Sequence, residues 1–295
     1  VNRTPELSRR LFDRYEPIHA VTYFTPESRT AMDALGCRGF WSGYFAGRAA
    51  PLDPAPAPVV AALFYNFSAE RVAKSLAAAR AAAPAADALA ARSTGAVAAL
   101  RRYGLAGHQS LDTAAELAAK AARTAPVDGR ALFAANAALP WPDAPLEALW
   151  HATTLLREHR GDGHIAALVA AGISGRESNV LHCASGAVPA EFIMRSRDYD
   201  DAEWQTCTER LRDRGLLDGR GALTDTGREL KAEVEAATDR AALTAFEGLD
   251  DDEMEALFEA LTPLTRLVVA AGDVPAVTPM GLRRNELDDD SAHLR

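Results

Sequence analysis

Cysteine is scarce in this sequence, and what there is does not pair. Three occur among 295 residues, Cys37, Cys183 and Cys207, and no two stand in a CxxC spacing. That pattern argues against a disulfide framework or a cysteine-held zinc, and leads us to expect a reducing, cytoplasmic setting. No apolar run approaches the roughly 18 residues of a membrane span. The opening stretch VNRTPELSRRLFDRYEP lacks the apolar core that a secretory signal needs. Bases are outnumbered, 32 Lys and Arg against 41 Asp and Glu, and the net charge of -9 opposes non-specific attraction to a phosphate backbone. Common enzyme signatures are missing as well: no GxSxG elbow, P-loop, GxGxxG fingerprint or HExxH pair occurs. What is present is an ordinary globular composition, 48% hydrophobic and 25% charged, with enough apolar side chain to exclude disorder for most of the chain. The length favours two modules, 1–139 and 140–295, divided at the PWPDAP stretch from Pro140 to Pro145.

Most of the chain reads as helix, rich in Ala, Leu, Arg and Glu and poor in β-type runs. Thr25-Pro26-Glu27 supplies a cap, a first-turn proline and an acid, so a helix is predicted from Pro26 to Ala46, single or broken near Gly36 and Gly39. Pro51, Pro54, Pro56 and Pro58 require a loop. Ser68 caps a helix, and the Ala-rich residues 76–100 predict helices broken at Pro84 and Gly95. Further helices are expected from Leu111 to about Arg123, from Leu146 to Arg160, and over Ile165–Ala170. Asp250-Asp251-Asp252-Glu253 reads as a helix N-terminus rather than a calcium loop, and the polar tail 283–295 as mobile or packed on a neighbour.

The best-patterned region lies between Ile165 and Thr238. Ser174 caps one helix there and Asp200-Asp201 opens another, with Trp204, Cys207 and Leu211 on one face. Arg220-Gly221 makes a tight turn, and Leu223-Thr224-Asp225-Thr226-Gly227 starts a long helix. The run ERLRDRGLLDGRGALTDTGRELKAEVE resembles the core of a MarR-type winged helix, in which RL..RGLL ends the recognition helix, a β-hairpin wing follows, and LT..G opens the next helix. The resemblance extends from Gly163 to Ala237, with a wing shortened to the span Leu217–Leu223. The whole chain also resembles a group of actinobacterial helix-turn-helix-like proteins of unassigned function that share a stretch like REHRGDGH followed by AALVAAG. The fold class expected is therefore mainly α, with a winged-helix core in the second half. A weak pattern match of Phe45–Ala50 plus VVAALFYNFS with the region after Glu158 leaves open a diverged tandem copy in the first half. Such a pair implies an internal pseudo-dimer with a cleft between the halves. A homodimer is the other arrangement.

DNA binding requires cations on the reading helix and wing. From Asp200 to Arg214 the acids Asp200, Asp201, Glu203, Glu209 and Asp213 outnumber Arg210, Arg212 and Arg214. The acidic balance disfavours DNA, unless Arg195, Arg197, Arg210 and Arg214 form a local patch.

The densest chemistry is HATTLLREHRGDGH, His151 to His164. Gly161 and Gly163 are expected to reverse the chain after a helix and aim Asp162 and His164 at one space. Three readings stay open. The cluster is structural, with Arg160 and Asp162 bridging the helix end to a neighbour and His164 capping the next helix. Or it lines a small-molecule pocket, with Arg157 or Arg160 gripping a carboxylate or phosphate and His164 as a tunable base. Or it holds a metal or haem through His159 and His164, with Asp162 or Glu158. Arg48 matches Arg160 in the weak repeat, and His19 and Tyr44 are placed to face the same cleft. His182, Cys183 and Cys207 read as core residues, and Glu177 as an exposed helix acid. The leading expectation is a small-molecule-binding protein on a repurposed winged-helix scaffold, catalytic if His164 and Asp162 act as acid and base. Arg48, Arg157, Arg160, His19, Tyr44 and His159 are its ligand contacts, and no cofactor is specified. The runners-up are a ligand-responsive transcription regulator and a metal- or haem-dependent enzyme.

Overall fold

The computed structural model describes residues 2–276 together with Thr278, Leu282 and Leu287. Among them the chain forms fourteen α-helices and no strand: α1 Pro5–Phe24, α2 Pro26–Ala34, α3 Phe40–Ala49, α4 Ala57–Leu63, α5 Ala69–Ala82, α6 Ala85–Arg102, α7 Leu111–Thr124, α8 Ala131–Ala137, α9 Pro145–Ala170, α10 Gly175–Ala184, α11 Ala190–Ser196, α12 Asp201–Asp213, α13 Asp225–Leu243 and α14 Asp251–Ala271. The predicted starts hold where a side chain closes the first turn. Thr25, Ser68, Ser174, Asp200 and Thr224 each accept a backbone N–H of their helix, and Asp250 forms a capping box with Glu253. Glu177 is a correction. It is buried, closing a capping box on Ser174 rather than standing in solvent. Apart from Leu287, the tail 283–295 lies outside the described residues.

α9 is the axis of the molecule. α1, α6, α7, α8 and α13 all pack on it, while α14 packs on α1 and α7. Leu7, Leu11 and Ile18 of α1, Leu100 of α6, Leu149 and Leu155 of α9, and Phe258 and Leu261 of α14 share one core. This largest core draws on both sides of residue 140, whereas the cores around Phe45 and around Leu211 are local to the first and second halves. No helix of the described residues is long and apolar enough to cross a membrane.

The expected chain reversal at Gly161 and Gly163 does not occur, because both glycines lie inside the continuous helix α9. What Gly163 provides is room. A Cβ there would stand 3.2 Å from Cβ of Ala241 on α13. Gly95 likewise does not break α6, where a Cβ would fall 2.6 Å from Cα of Ser28. The glycines thus mark close helix crossings, which offset their poor helix propensity.

α10 and α12 pack through Val180, Leu181, Cys207 and Leu211, α11 lies against α10, and α13 closes the unit with Val234. Between α12 and α13 the expected hairpin reduces to one antiparallel bridge, Leu217 with Leu223. The Asp218 carboxylate accepts the N–H groups of Arg220 and Ala222 and so closes this turn.

Candidate functional site

α9 is buried almost all round, so its polar residues need partners from the surrounding helices. Arg48 of α3 donates Nε and Nη2 to the two carboxylate oxygens of Glu158, each at 3.0 Å. Arg157 donates Nη1 to the same carboxylate at 2.8 Å, and its Nε stands 3.6 Å from Glu16 of α1. Burial opposes the charge of Glu158, yet Arg157 and Arg48 together hold its carboxyl below the usual range. Glu16 has only the longer contact, and burial raises its pKa to about 7.

His19 of α1 joins this network. Its Nδ1 lies 3.0 Å from Thr154 Oγ1 and its Nε2 lies 3.0 Å from the Tyr23 hydroxyl. The Thr154 hydroxyl hydrogen is committed to the Trp150 carbonyl at 2.9 Å. Thr154 therefore accepts from His19 Nδ1–H. Burial, with Arg157 adding, keeps the ring pKa well below the ordinary value, so His19 is neutral and its bare Nε2 accepts the Tyr23 hydroxyl proton. Tyr23 packs on Tyr44, with centroids 5.1 Å apart, and Tyr44 accepts a hydrogen bond from Arg48 Nη1 at 2.9 Å. Half-buried Phe40, Trp41 and Tyr44 form the outer edge of the group. A cavity of about 30 Å³ lies beside Tyr23, Phe40 and Tyr44.

The structure thus brings Arg48, Arg157, His19 and Tyr44 into one cluster. It does not bring the remaining predicted residues there. Arg160 turns to α13, donating to Asp239 at 2.6 Å with its guanidinium over Phe12. His164 also faces α13, with Nδ1 2.9 Å from Thr238 Oγ1. It caps no helix, and burial lowers its pKa to about 4. Asp162 faces α8, where it accepts the Phe133 N–H at 2.9 Å, and burial raises its pKa to about 6. His164 and Asp162 therefore share no reaction space. His159 packs edge-on against Phe133, with its pKa lowered to about 3 by burial and by Arg130. His159 and His164, five residues apart on one helix, point to different sides, so they do not form a ligand pair. Among the described residues no three His, Cys, Asp or Glu side chains converge as metal ligands. These corrections share one cause, the unbroken helix α9, which fans its side chains out instead of folding them back.

Tyr23, Glu16 and Trp41 belong to the neighbourhood and are not singled out by the sequence; Arg197, read there as part of a DNA-facing patch, lies beside them instead. Tyr23 lies four residues after His19, and that i,i+4 spacing was the available signal once 5–24 is read as helix. Two arginines of the patch that DNA binding would require, Arg197 and Arg214, are engaged elsewhere. Arg197 is buried against Trp41 and Phe67, and Arg214 donates to the carbonyls of Gly172 and Ala171 at the end of α9. Arg212 is tied to the Asp218 carbonyl. The exposed surface of α12 carries three acids, Asp201, Glu209 and Asp213, against one base, Arg210.

No curated protein and no solved structure matches the chain. A family model does: over residues 8–275 the sequence matches a helix-turn-helix family, and with nearly the whole chain inside that match, the protein belongs to it.

Proposed function

We propose that this protein binds a small molecule in the seam where α1, α3 and α9 meet, on a helix-turn-helix scaffold that no longer depends on reading DNA. The observation that carries this is the layering of half-buried aromatic rings over a buried ion network, Arg48–Glu158–Arg157–Glu16 with His19 and Tyr23 beside it. Buried charge of this kind is costly as pure scaffolding and common where ligands are held. The adjoining cavity has room for about one water. A larger ligand therefore enters by parting the Tyr23, Phe40 and Tyr44 rings. The halves embrace reciprocally at their outer helices, with α7 of the first packed on α9 of the second and α14 of the second packed on α1 of the first. This supports reading residues 1–139 as a diverged copy of 140–295 and the seam as the cleft between copies.

Native mass spectrometry of freshly purified wild type, Tyr44→Ala and His19→Ala tests the reading. A co-purified mass in the wild type that both variants lose is expected. A mass retained in both variants, or none across expression hosts and growth media, would sink it.

Family membership favours a second reading, a ligand-responsive DNA-binding regulator. The acids exposed on α12 weigh against it. Steeply salt-dependent binding to DNA upstream of its own gene would establish this reading in place of the first.

A further inference from the structure

Arg197, the residue that caps the C-terminus of α11, is 8% exposed and has no carboxylate partner among the described residues. Among the described residues its side-chain hydrogen bonds are long ones from Nη1 to Ser196, 3.4 Å to the carbonyl and 3.3 Å to Oγ, and its Nε is buried without a partner there. The guanidinium lies 4.3 Å from the Phe67 centroid and 5.2 Å from that of Trp41. A second cation, Arg71, stands 4.7 Å from the same Trp41 ring, and its Nε is also buried and unpartnered. Arg71 pairs with Asp198, whose own side chain is half exposed. Arg48 lies near enough to both Tyr44 and Arg197 to add to the positive field. The loop that holds Arg197 is over-determined. Asp198 sits at φ +51, uncommon for a residue with a side chain, and Arg176 binds the carbonyls of Arg197 and Asp198.

Surface arginines choose their partners freely, but a buried one without an anion is expensive. Here backbone strain and two cation–π contacts fix such a cation beside a second one, at the edge of the half-buried ring group. We propose that Arg197, with Arg71 across the Trp41 ring, is an oxyanion site, and that the ligand of the seam carries a carboxylate or phosphate bound there. This rests on the ligand reading above and adds the ligand's charge to it.

The test is thermal unfolding of the full chain in chloride, acetate, phosphate and phenylacetate at matched ionic strength. An oxyanion bound by the native state alone raises Tm, by about 3 °C once its concentration is well above Kd. We expect such a rise over chloride in the wild type, its absence in Arg197→Met, and a rise needing several-fold more anion in Arg197→Lys, which keeps the charge but not the fork. A response to phosphate alone identifies a phosphate group; one to acetate and phenylacetate identifies a carboxylate. Should Arg197→Met fail to fold, Arg197→Lys carries the decision by the same shift. No oxyanion-specific rise in the wild type, or an equal rise in the variants, overturns the assignment. A co-purified ligand bound equally by wild type and Arg197→Lys would overturn it while leaving the seam reading intact.

Discussion

Arg48 and Glu158, 110 positions apart, meet in a two-point pair, with Nε–Oε1 and Nη2–Oε2 both at 3.0 Å. The Glu158 side chain is 2% exposed and that of Arg48 10%, so removing one partner leaves a buried charge short of its counter-ion. Arg48→Met and Glu158→Gln are each expected to cost about 3–5 kcal/mol. The double variant should lose clearly less than the sum, since its uncompensated charge is smaller. Urea unfolding of the four proteins gives the coupling energy directly, and additive losses would mean that the pair is not a unit.

Stability should rise with pH on the acid side, and the sign follows from the histidines. Burial holds His151, His164 and His182 at about 4 and His159 at about 3, with His19 well below its ordinary value. The unfolded chain takes up these protons below about 6.5 and the folded protein does not, so stability is lost as pH falls from 6.5 towards 4. Three buried carboxyls act oppositely. Asp162 at about 6, Glu16 at about 7 and Asp239, also raised by burial, hold their protons more tightly when folded, so their contribution is lost as pH rises through their folded values. The five imidazoles outweigh these carboxyls across the whole range. Stability is therefore expected to rise from pH 4.5 and level off above about pH 7, with Glu16→Gln gaining on the wild type between pH 5 and 7. Denaturant midpoints across pH 4.5–8 check this; a profile flat below pH 6.5 would show that the imidazoles titrate alike in both states.

Two glycine substitutions should have opposite signs. At Gly161 an added Cβ finds only Glu158 Oε2, 3.6 Å away, and the backbone is helical. Gly161→Ala should therefore stabilise by about 0.5–1 kcal/mol. At Gly95 the Cβ would collide with the Ser28 backbone, so Gly95→Ala should destabilise by about 1–3 kcal/mol despite the better helix former. Thermal melts read both, and a destabilising Gly161→Ala would speak for a chain reversal at that glycine.

The helical class and most helix starts were legible because caps and prolines are local devices. Thr25, Ser68 and Asp200 act on the three residues that follow them. Helix interruptions were not legible in the same way. Gly95, Gly161 and Gly163 look like breaks in one dimension; the positions of Ser28 and Ala241 explain why Gly95 and Gly163 are needed within helices, while an added Cβ at Gly161 meets only Glu158 of its own helix. α1 was hidden because its Leu7, Leu11 and Ile18 stripe is accompanied by Arg10, Asp13, Arg14, Glu16 and His19, all buried too, which blurs the apolar face. The candidate site was half legible for the same reason. Arg48, Arg157, His19 and Tyr44 carry suitable chemistry, but only the α1–α9 contact brings Tyr23 and Glu16 among them.

The last expectation concerns a proton rather than a fold. Thr154 gives its hydroxyl hydrogen to Trp150 and accepts from His19 Nδ1–H, which leaves His19 Nε2 to accept from Tyr23. Thr238 stands in the same relation to His164, with its own hydrogen committed to the Val234 carbonyl at 2.7 Å. Both imidazoles are thus set as Nδ1–H tautomers by a threonine. Thr154→Val removes the acceptor and leaves a buried N–H unmet, at a cost of about 1–3 kcal/mol. The cheapest relief is transfer of the ring proton to Nε2, which then donates to the Tyr23 oxygen and forces that hydroxyl to turn outward. Nitrogen-15 spectra should show His19 as Nδ1–H in the wild type and Thr154→Ser, and as Nε2–H in Thr154→Val, with His164 unchanged throughout. An unchanged His19 tautomer in Thr154→Val would mean that Thr154 does not fix the ring. The Tyr23 hydroxyl, donating to Nε2, would then be the group that holds the tautomer.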